Sequence, residues 1–334
     1  MKAMVLAAGL GTRLRPITYS IPKPMVPVLN RPVMEHIVNL LAGNGFSQVI
    51  ANLHWFPDTI EDHFGDGSKF GVELSYSPEE ALLGTAGGVR NAAHFFEDDF
   101  LVISGDALTD LDLASMRRFH ESHDGVATLA TRKVSDTSQF GVVIAGDDRR
   151  VQGFQEKPDP AEALSDLANC GIYMFDRGIF DFFPGPGQSK LAEADDPEGF
   201  ADWAYDIFPA LLESGKPFYS HEVDAYWNDV GTISELLQGS FDGLTGKVAL
   251  EIGEPQAVEG IWCADGVDLS RAEVEGPVLV GSGATLGDGA RLVGPAVIGR
   301  DCTVGEGSTV KEAVLLDRAE LPAGCFTAGG VIGR

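Results

Sequence analysis

The apolar and polar positions of this chain change rhythm twice. Up to about residue 130, short apolar runs take turns with segments whose apolar positions recur at helical spacing. The run beginning at Met4, and those at Gln48–Leu53, Val72–Tyr76, Phe100–Ile103 and Val126–Thr131, predict strands, because they are short and bounded by turn residues. Val33–Leu41, apolar at Val33, Ile37, Leu40 and Leu41, predicts a helix that Gly43-Asn44-Gly45 caps. Thr59–Phe64 and Leu111–His123 read as helices, and so does Val89–Phe96, opened by the glycine loop Gly84-Thr85-Ala86-Gly87-Gly88. This alternation predicts a parallel sheet covered on both faces, with ligands beyond the carboxyl ends of the strands. Gly9, Gly11 and Asp106 fall at such ends.

The middle of the chain is different. Phe140–Ala145, Val151–Gln155 and Asn169–Phe175 are β-like, with turns at Gly146-Asp147-Asp148 and Pro158-Asp159-Pro160. They predict an antiparallel or mixed extension forming the other wall of a cleft. Trp203–Leu212 and Ile233–Phe241 read as helices around Tyr226-Trp227-Asn228-Asp229-Val230-Gly231-Thr232. From about Val274 a period of six takes over. Val280, Leu286, Leu292, Ile298, Val304, Val310 and Leu316 keep it, with Val278, Ala284, Ala290, Ala296, Cys302, Ser308 and Val314 two positions earlier. Hexapeptide repeats predict a parallel β-helix with the aliphatic residue stacked inside. The expected division is 1–241, a linker and entry coil at 242–273, and the β-helix at 274–334.

The first turn carries the chemistry. The opening strand ends in Ala7-Ala8-Gly9-Leu10-Gly11-Thr12, and cations follow at Arg13, Arg15 and Lys23, the last within Pro22-Lys23-Pro24. Glycines let backbone N–H groups approach a phosphate with no Cβ in the way, and the cations complete an anion cradle. The stretch is not a P-loop, since it lacks Gly-x4-Gly-Lys-Ser/Thr. A dinucleotide fingerprint would need glycine where Leu14 stands.

Ala-Ala-Gly-x-Gly-Thr-Arg-Leu-x-Pro followed by Pro-Lys-Pro resembles the signature of the sugar-1-phosphate nucleotidyltransferases (NDP-sugar pyrophosphorylases), and the resemblance runs on through the hexapeptide tail. It implies an α/β fold: a Rossmann-like nucleotidyltransferase domain with a mixed, mainly parallel sheet, plus a C-terminal left-handed parallel β-helix. It also implies the reaction of an NTP with a sugar 1-phosphate to give NDP-sugar and pyrophosphate. By the same resemblance Arg13 holds the leaving phosphates, Lys23 contacts the α-phosphate, and Asp106 and Asp229 bind Mg2+. The nucleotide lies on Leu6, Ala7, Ala8, Gly9, Gly11, Thr12, Glu79, Gly84 and Thr85, with Glu79 where a side chain often reads the base edge. Gly141, Glu156, Lys157 and Asn169 match positions around the sugar phosphate. Gly84-Thr85-Ala86-Gly87 is closer to the guanylyl- and uridylyl-transferring branches than to the thymidylyl one. GTP with mannose 1-phosphate is the leading pair, glucose 1-phosphate with UTP or dTTP the next. A catalytically silent NDP-sugar-binding subunit is the alternative of another class, and retention of the whole cation and carboxylate set argues against it.

Bulk properties narrow the partners. A net charge of −26 argues against polyanionic nucleic acid or an anionic membrane surface. It also means that phosphates must be met by locally gathered cations or by divalent metal. Cys170, Cys263, Cys302 and Cys325 stand far apart with no Cys-x2-Cys, which favours reduced thiols in a cytoplasmic protein. No apolar stretch approaches the roughly 18 residues of a membrane span. The tail has no histidine for an acyltransferase site, so it reads as an assembly element and a homo-oligomer is expected.

Overall fold

The computed structural model describes residues 1–191, 193 and 196–333. The elements that matter below are β1 (Lys2–Leu6), β2 (Pro27–Val28), β3 (Arg31–Pro32), α1 (Val33–Gly43), β4 (Gln48–Leu53), α2 (Pro57–Phe64), β5 (Glu73–Pro78), α3 (Gly84–Asn91) and β6 (Phe100–Ser104). They are followed by β7 (Ala107–Thr109), α4 (Leu113–His120), β8 (Ala127–Lys133), β9 (Gly141–Ala145), β10 (Val151–Glu156) and β11 (Leu167–Phe175). Next come α5 (Phe208–Ser214), β12 (Tyr219–Glu222), β13 (Trp227–Asp229) and α6 (Ile233–Leu244). The chain forms two compact units that interleave along the sequence. One holds 1–10, 37–107 and 111–227; the other holds 11–36, 108–110 and 228 onward.

The first unit is built on a mixed sheet in the order β10-β9-β11-β6-β1-β4-β5, with β8 on β11 and β12 on β8. β6, β1, β4 and β5 are parallel, as the strand–helix alternation requires. β11, β9 and β10 extend the sheet antiparallel, as expected of the middle stretch. An aromatic cluster covers the junction. Phe100 stacks on Phe96 at 4.0 Å between centroids and on Phe180 at 5.6 Å, and Trp203 stacks on Phe175 at 4.7 Å.

Two expectations shift here. The glycine stretch at Gly84 is not a loop ahead of a helix: α3 begins at Gly84 and ends at Asn91, with a 3-10 turn at Ala93–Phe95. The helix beginning at Trp203 opens with a π-helical turn, Trp203–Ile207, before α5.

Under α4 lies a histidine relay. The Gly125 N–H donates to His123 Nδ1 at 3.0 Å, which puts the proton of the neutral ring on Nε2, 2.9 Å from Thr128 Oγ1. The Thr128 hydroxyl then faces His120 Nδ1, also at 2.9 Å. Burial first, and then the neighbouring His120, pushes the His123 pKa down to about 4, and burial lowers that of His120 as well. An unfolded histidine titrates near 6.5, so between that pH and about 4 the unfolded chain binds more protons and stability falls as pH falls. Thermal melts from pH 7 to 4.5 are expected to show this slope, and His123→Gln to flatten it.

In the second unit, parallel strands stack into a left-handed β-helix. Thr285 pairs with Thr303 and Leu292 with Val310, one coil of eighteen residues on. Val280, Leu286, Leu292, Ile298, Val304 and Val310 are buried inside, as the period predicts. The register then slips. Ile298 pairs with Leu315, seventeen residues on, and the inward residues become Ala313, Leu315, Ala319 and Leu321 in place of Val314 and Leu316. The corner before this step is Glu312, at a left-handed φ of 46°, which turns the chain within one residue fewer. In the same unit β2 and β3 form a hairpin whose tip, Leu29-Asn30, has φ of 52° and 60°. A left-handed leucine costs about 1–2 kcal/mol, and its full burial offsets that.

Candidate functional site

In the first unit the register sets Leu6 beside Asn52 on one side and beside Ser104 on the other, so three strands end within one residue of one another. The Gly105 N–H donates to Leu6 O at 2.9 Å, tying the segment that carries Asp106 to the start of the glycine loop. Beyond Leu6 the chain must curve through Ala7 and Ala8, both buried, to Gly9, beside which a Cβ would meet nothing. Asn52 holds this curve. Its Oδ1 accepts from the Ala7 N–H at 2.8 Å and its Nδ2 donates to Glu79 Oε1 at 2.7 Å. Glu79 Oε2 accepts from the Leu83 N–H at 3.1 Å. Burial raises the Glu79 pKa, and those donors counter it. Glycine at 88 is required by this packing, since a Cβ there would meet Glu79 Oε1 at 2.5 Å.

Gly84 and Thr85 are engaged from a different side. The Ala86 and Gly87 N–H groups, at the start of α3, both donate to Ala201 O, at 2.9 and 3.0 Å. The Thr85 hydroxyl donates to Asp202 Oδ2 at 2.8 Å and accepts from the Trp203 N–H at 3.2 Å. The glycines of this stretch therefore allow a close backbone approach to 199–201.

At the antiparallel end of the sheet, Gly141 is the register partner of Glu156. A Cβ on Gly141 would meet Glu156 Oε2 at 3.1 Å, so the missing side chain is what gives that carboxylate its room. Lys157, at a φ of 46°, turns its Nζ to within 3.3 Å of Glu156 Oε1. Asn169 shapes a bulge in β11. Its Oδ1 accepts from the Gly171 N–H at 3.1 Å and its Nδ2 donates to Tyr173 Oη at 2.9 Å. Burial pushes the Cys170 thiol up to about 12, which leaves it inert and matches its reading as packing.

The second unit gathers the opposite charges. Gly11, at a φ of 61°, is pressed against Lys23: a Cβ there would meet Lys23 Cβ at 2.9 Å and Thr18 Cγ2 at 2.9 Å. Thr12 and Arg13 continue into a 3-10 turn. The Arg13 guanidinium lies where a Cβ on Gly231 would meet Nη2 at 2.8 Å. Lys23, held between Pro22 and Pro24 in its own 3-10 turn, reaches 3.7 Å from Asp229 Oδ1. Burial lowers the Lys23 pKa; Asp229 pulls it back, Arg13 lowers it further and Glu235 raises it. Arg13 and Lys23 are thus brought together with Asp229, more than 200 residues further along the chain. Arg15 instead covers the Tyr19 ring at 5.1 Å.

Sequence reasoning missed two participants. Asn52 carries no motif and shows its role only once β4 lies beside β1. Glu235 had a signal: Thr232-x-x-Glu235 is a capping box, with Thr232 Oγ1 accepting from the Glu235 N–H at 3.2 Å. Its carboxylate also accepts from the Gly231 N–H at 3.1 Å, fixing the turn after Asp229.

A family model described as nucleotidyl transferase matches residues 2–245, and one described as bacterial transferase hexapeptide (six repeats) matches residues 277–312. The UTP–glucose-1-phosphate uridylyltransferase of Synechocystis sp. is 38% identical over 346 residues, covering 97% of this chain and 85% of that protein. The mannose-1-phosphate guanylyltransferase of Mycobacterium tuberculosis is 34% identical over 330 residues, covering 97% and 82%. The crystal structure of HddC from Yersinia pseudotuberculosis aligns with a TM-score of 0.59 at 25% identity, covering 72% of this chain and 97% of that one.

Proposed function

The chain belongs to the sugar-1-phosphate nucleotidyltransferase family and is an enzyme of that class, and from this premise we propose that it joins GTP to mannose 1-phosphate, releasing pyrophosphate. A phosphate oxygen of the sugar attacks the α-phosphorus in line and pyrophosphate leaves. The nucleophile is an anion near neutral pH, so no general base is required. The barrier lies in bringing two polyanions together, and positioned charge lowers it. The observation that supports nucleotidyl transfer, whatever the base and sugar, is the Lys23–Asp229 pair at 3.7 Å beside the Arg13 guanidinium. Lys23 meets the α-phosphate and Arg13 the departing phosphates. In the ground state the Lys23 charge is held against desolvation by Asp229, and a bound polyphosphate stabilises it further.

In this reading Asp106 and Asp229 would hold Mg2+: carboxylates suit a hard cation that keeps several waters, and the Asp229 side chain is 32% open to solvent. The ion would offset phosphate charge. On the sugar side, Glu156 accepts from hydroxyls and Lys157 pairs with the sugar phosphate, with Gly141 and Asn169 shaping the floor. Glu79 supports the nucleotide loop through Asn52. Asn52→Ala is therefore expected to raise KM for the NTP about tenfold with kcat little changed, for two hydrogen bonds lost at about 0.5–1 kcal/mol net each, as initial rates would show.

A second substrate pair, glucose 1-phosphate with UTP, is favoured by the name of the 38% identical relative. The deciding experiment is a matrix of NTPs against sugar 1-phosphates, read by pyrophosphate release with Mg2+ present. A preference for another pair overturns the GTP and mannose assignment, and silence in every well overturns the catalytic reading in favour of a binding subunit. The hexapeptide coils add a homo-oligomer to the proposal.

A further inference from the structure

The β2–β3 hairpin links Lys23 to the β-helix within the second unit. Immediately after the Lys23–Met25 turn, the Val26 N–H donates to Lys23 O at 3.1 Å and the Val33 N–H donates to Val26 O at 3.0 Å. On one strand, His36 Nε2 lies 3.0 Å from Val28 O. The lysine thus sits at the closed base of a short, proline-stiffened ribbon. The tip of that ribbon is locked on two sides. Leu29 is buried so close to α6 that a Cβ on Gly243 would meet Leu29 Cδ1 at 2.7 Å. Asn30, 5% exposed, is plugged into a coil of the β-helix. Its Nδ2 donates to Ile298 O at 3.1 Å, and its O accepts from Arg300 Nη2 at 2.8 Å. The coil has glycine where the amide enters, since a Cβ on Gly281 would meet Asn30 Nδ2 at 2.9 Å.

A hairpin that only had to reverse the chain could carry Asn-Gly and stay in water. This one keeps a left-handed leucine and a buried amide, an arrangement that persists only where the surroundings over-determine it. α6, which receives Leu29, begins just after Asp229 and is capped by Thr232. The hairpin and α6 therefore connect one buried tip to both members of the Lys23–Asp229 pair.

We propose that Asn30 and Arg300 are positioning residues: by fixing the hairpin tip on the Ile298–Arg300 coil, the β-helix sets where the Lys23 ammonium stands relative to Asp229, and with it the rate of nucleotidyl transfer. This rests on the role of Lys23 given above. Asn30→Gly keeps the left-handed turn and removes the amide. Arg300→Ala removes the other bond from a half-exposed side chain, together with a 3.8 Å pair to Asp317 of the kind the control below also breaks, and carries the test should Asn30→Gly not fold. Arg291→Ala, which breaks only its 3.0 Å pair with Glu273 on the coil, is the control.

On the full chain, three quantities are measured: kcat and KM by pyrophosphate release, the rate of Lys23 acylation by acetic anhydride by mass spectrometry, and the melting temperature. Asn30→Gly and Arg300→Ala are each expected to lower kcat about five- to tenfold with KM nearly unchanged, as for a group slightly misplaced in the transition state. Lys23 should acylate roughly threefold faster once its enclosure loosens. The double variant should be no worse than either single one, because both act through one tip. Unchanged kcat in both single variants overturns the proposal, whatever the melting temperature does, and so does an equal loss in Arg291→Ala. Should the unaltered protein release no pyrophosphate from any pair, the functional reading fails, while the acylation rates still decide whether the tip holds Lys23.

Discussion

Lys23→Met is expected to lower kcat about 100- to 1,000-fold, the range seen when one donor to a developing oxyanion is removed, while raising rather than lowering the melting temperature. The two halves of this result have one cause. The ammonium is largely buried, and burial outweighs the pull of Asp229, so its pKa lies below the ordinary lysine value. A lysine whose folded pKa is depressed binds protons more weakly than in the unfolded chain, so its charge opposes folding at neutral pH. Methionine keeps the aliphatic stem against Gly11 and removes that cost. Rates from pyrophosphate release and melting curves on the same preparation check both halves. Near-normal kcat in Lys23→Met would remove the assigned role, and a lowered melting temperature would mean that the pair with Asp229 outweighs desolvation.

Phe100→Ala is expected to cost about 3–5 kcal/mol of stability, as for other buried phenylalanines. The ring is fully buried, stacks on Phe96 and Phe180, and sits tilted against Phe175 at 5.8 Å, so the neighbours cannot close the gap without breaking their own stacks. Against a typical total of about 5–15 kcal/mol, such a loss is expected to leave the protein partly unfolded at 37 °C. β6 is also the strand that delivers Ser104-Gly105-Asp106, so activity should fall at a lower denaturant concentration than in the parent. Denaturant titration followed by tryptophan fluorescence, to which Trp203, 4.7 Å from Phe175, contributes, measures the loss. A change under about 1 kcal/mol would show that the cluster repacks.

Where the sequence was informative, one physical signal dominated each segment. Gln48–Leu53 is an apolar run with turns on both sides, and β4 has those limits. The six-residue period had one interpretation until Glu312, where a single left-handed corner shortened the coil and no local pattern announced it. The hairpin at Pro27–Pro32 escaped notice because strands of two residues are too short to show a period. Gly84–Gly88 looked like a glycine loop from composition, yet the stretch opens α3, and its glycines allow close approach of Gly199 and Ala201 on one side and of Glu79 on the other. The meeting of Arg13, Lys23 and Asp229 was legible because each lies in a recognisable motif. Asn52 was not, because its importance arises from a register between strands that no stretch of residues records.

The interleaving of the two units bears on how the protein is made. Residues 11–36, with Lys23 among them, leave the ribosome early, but the side chains that enclose them come from residue 228 onward, and the coil gripping Asn30 ends at Arg300. At a translation rate of about 5–20 residues per second, the nascent segment waits roughly ten seconds to a minute with Leu14, Val26, Val28 and Leu29 unprotected. During that interval it is a natural client for chaperones that hold extended apolar chain, and a synthesis halted anywhere before residue 300 leaves a product that cannot seal its own beginning.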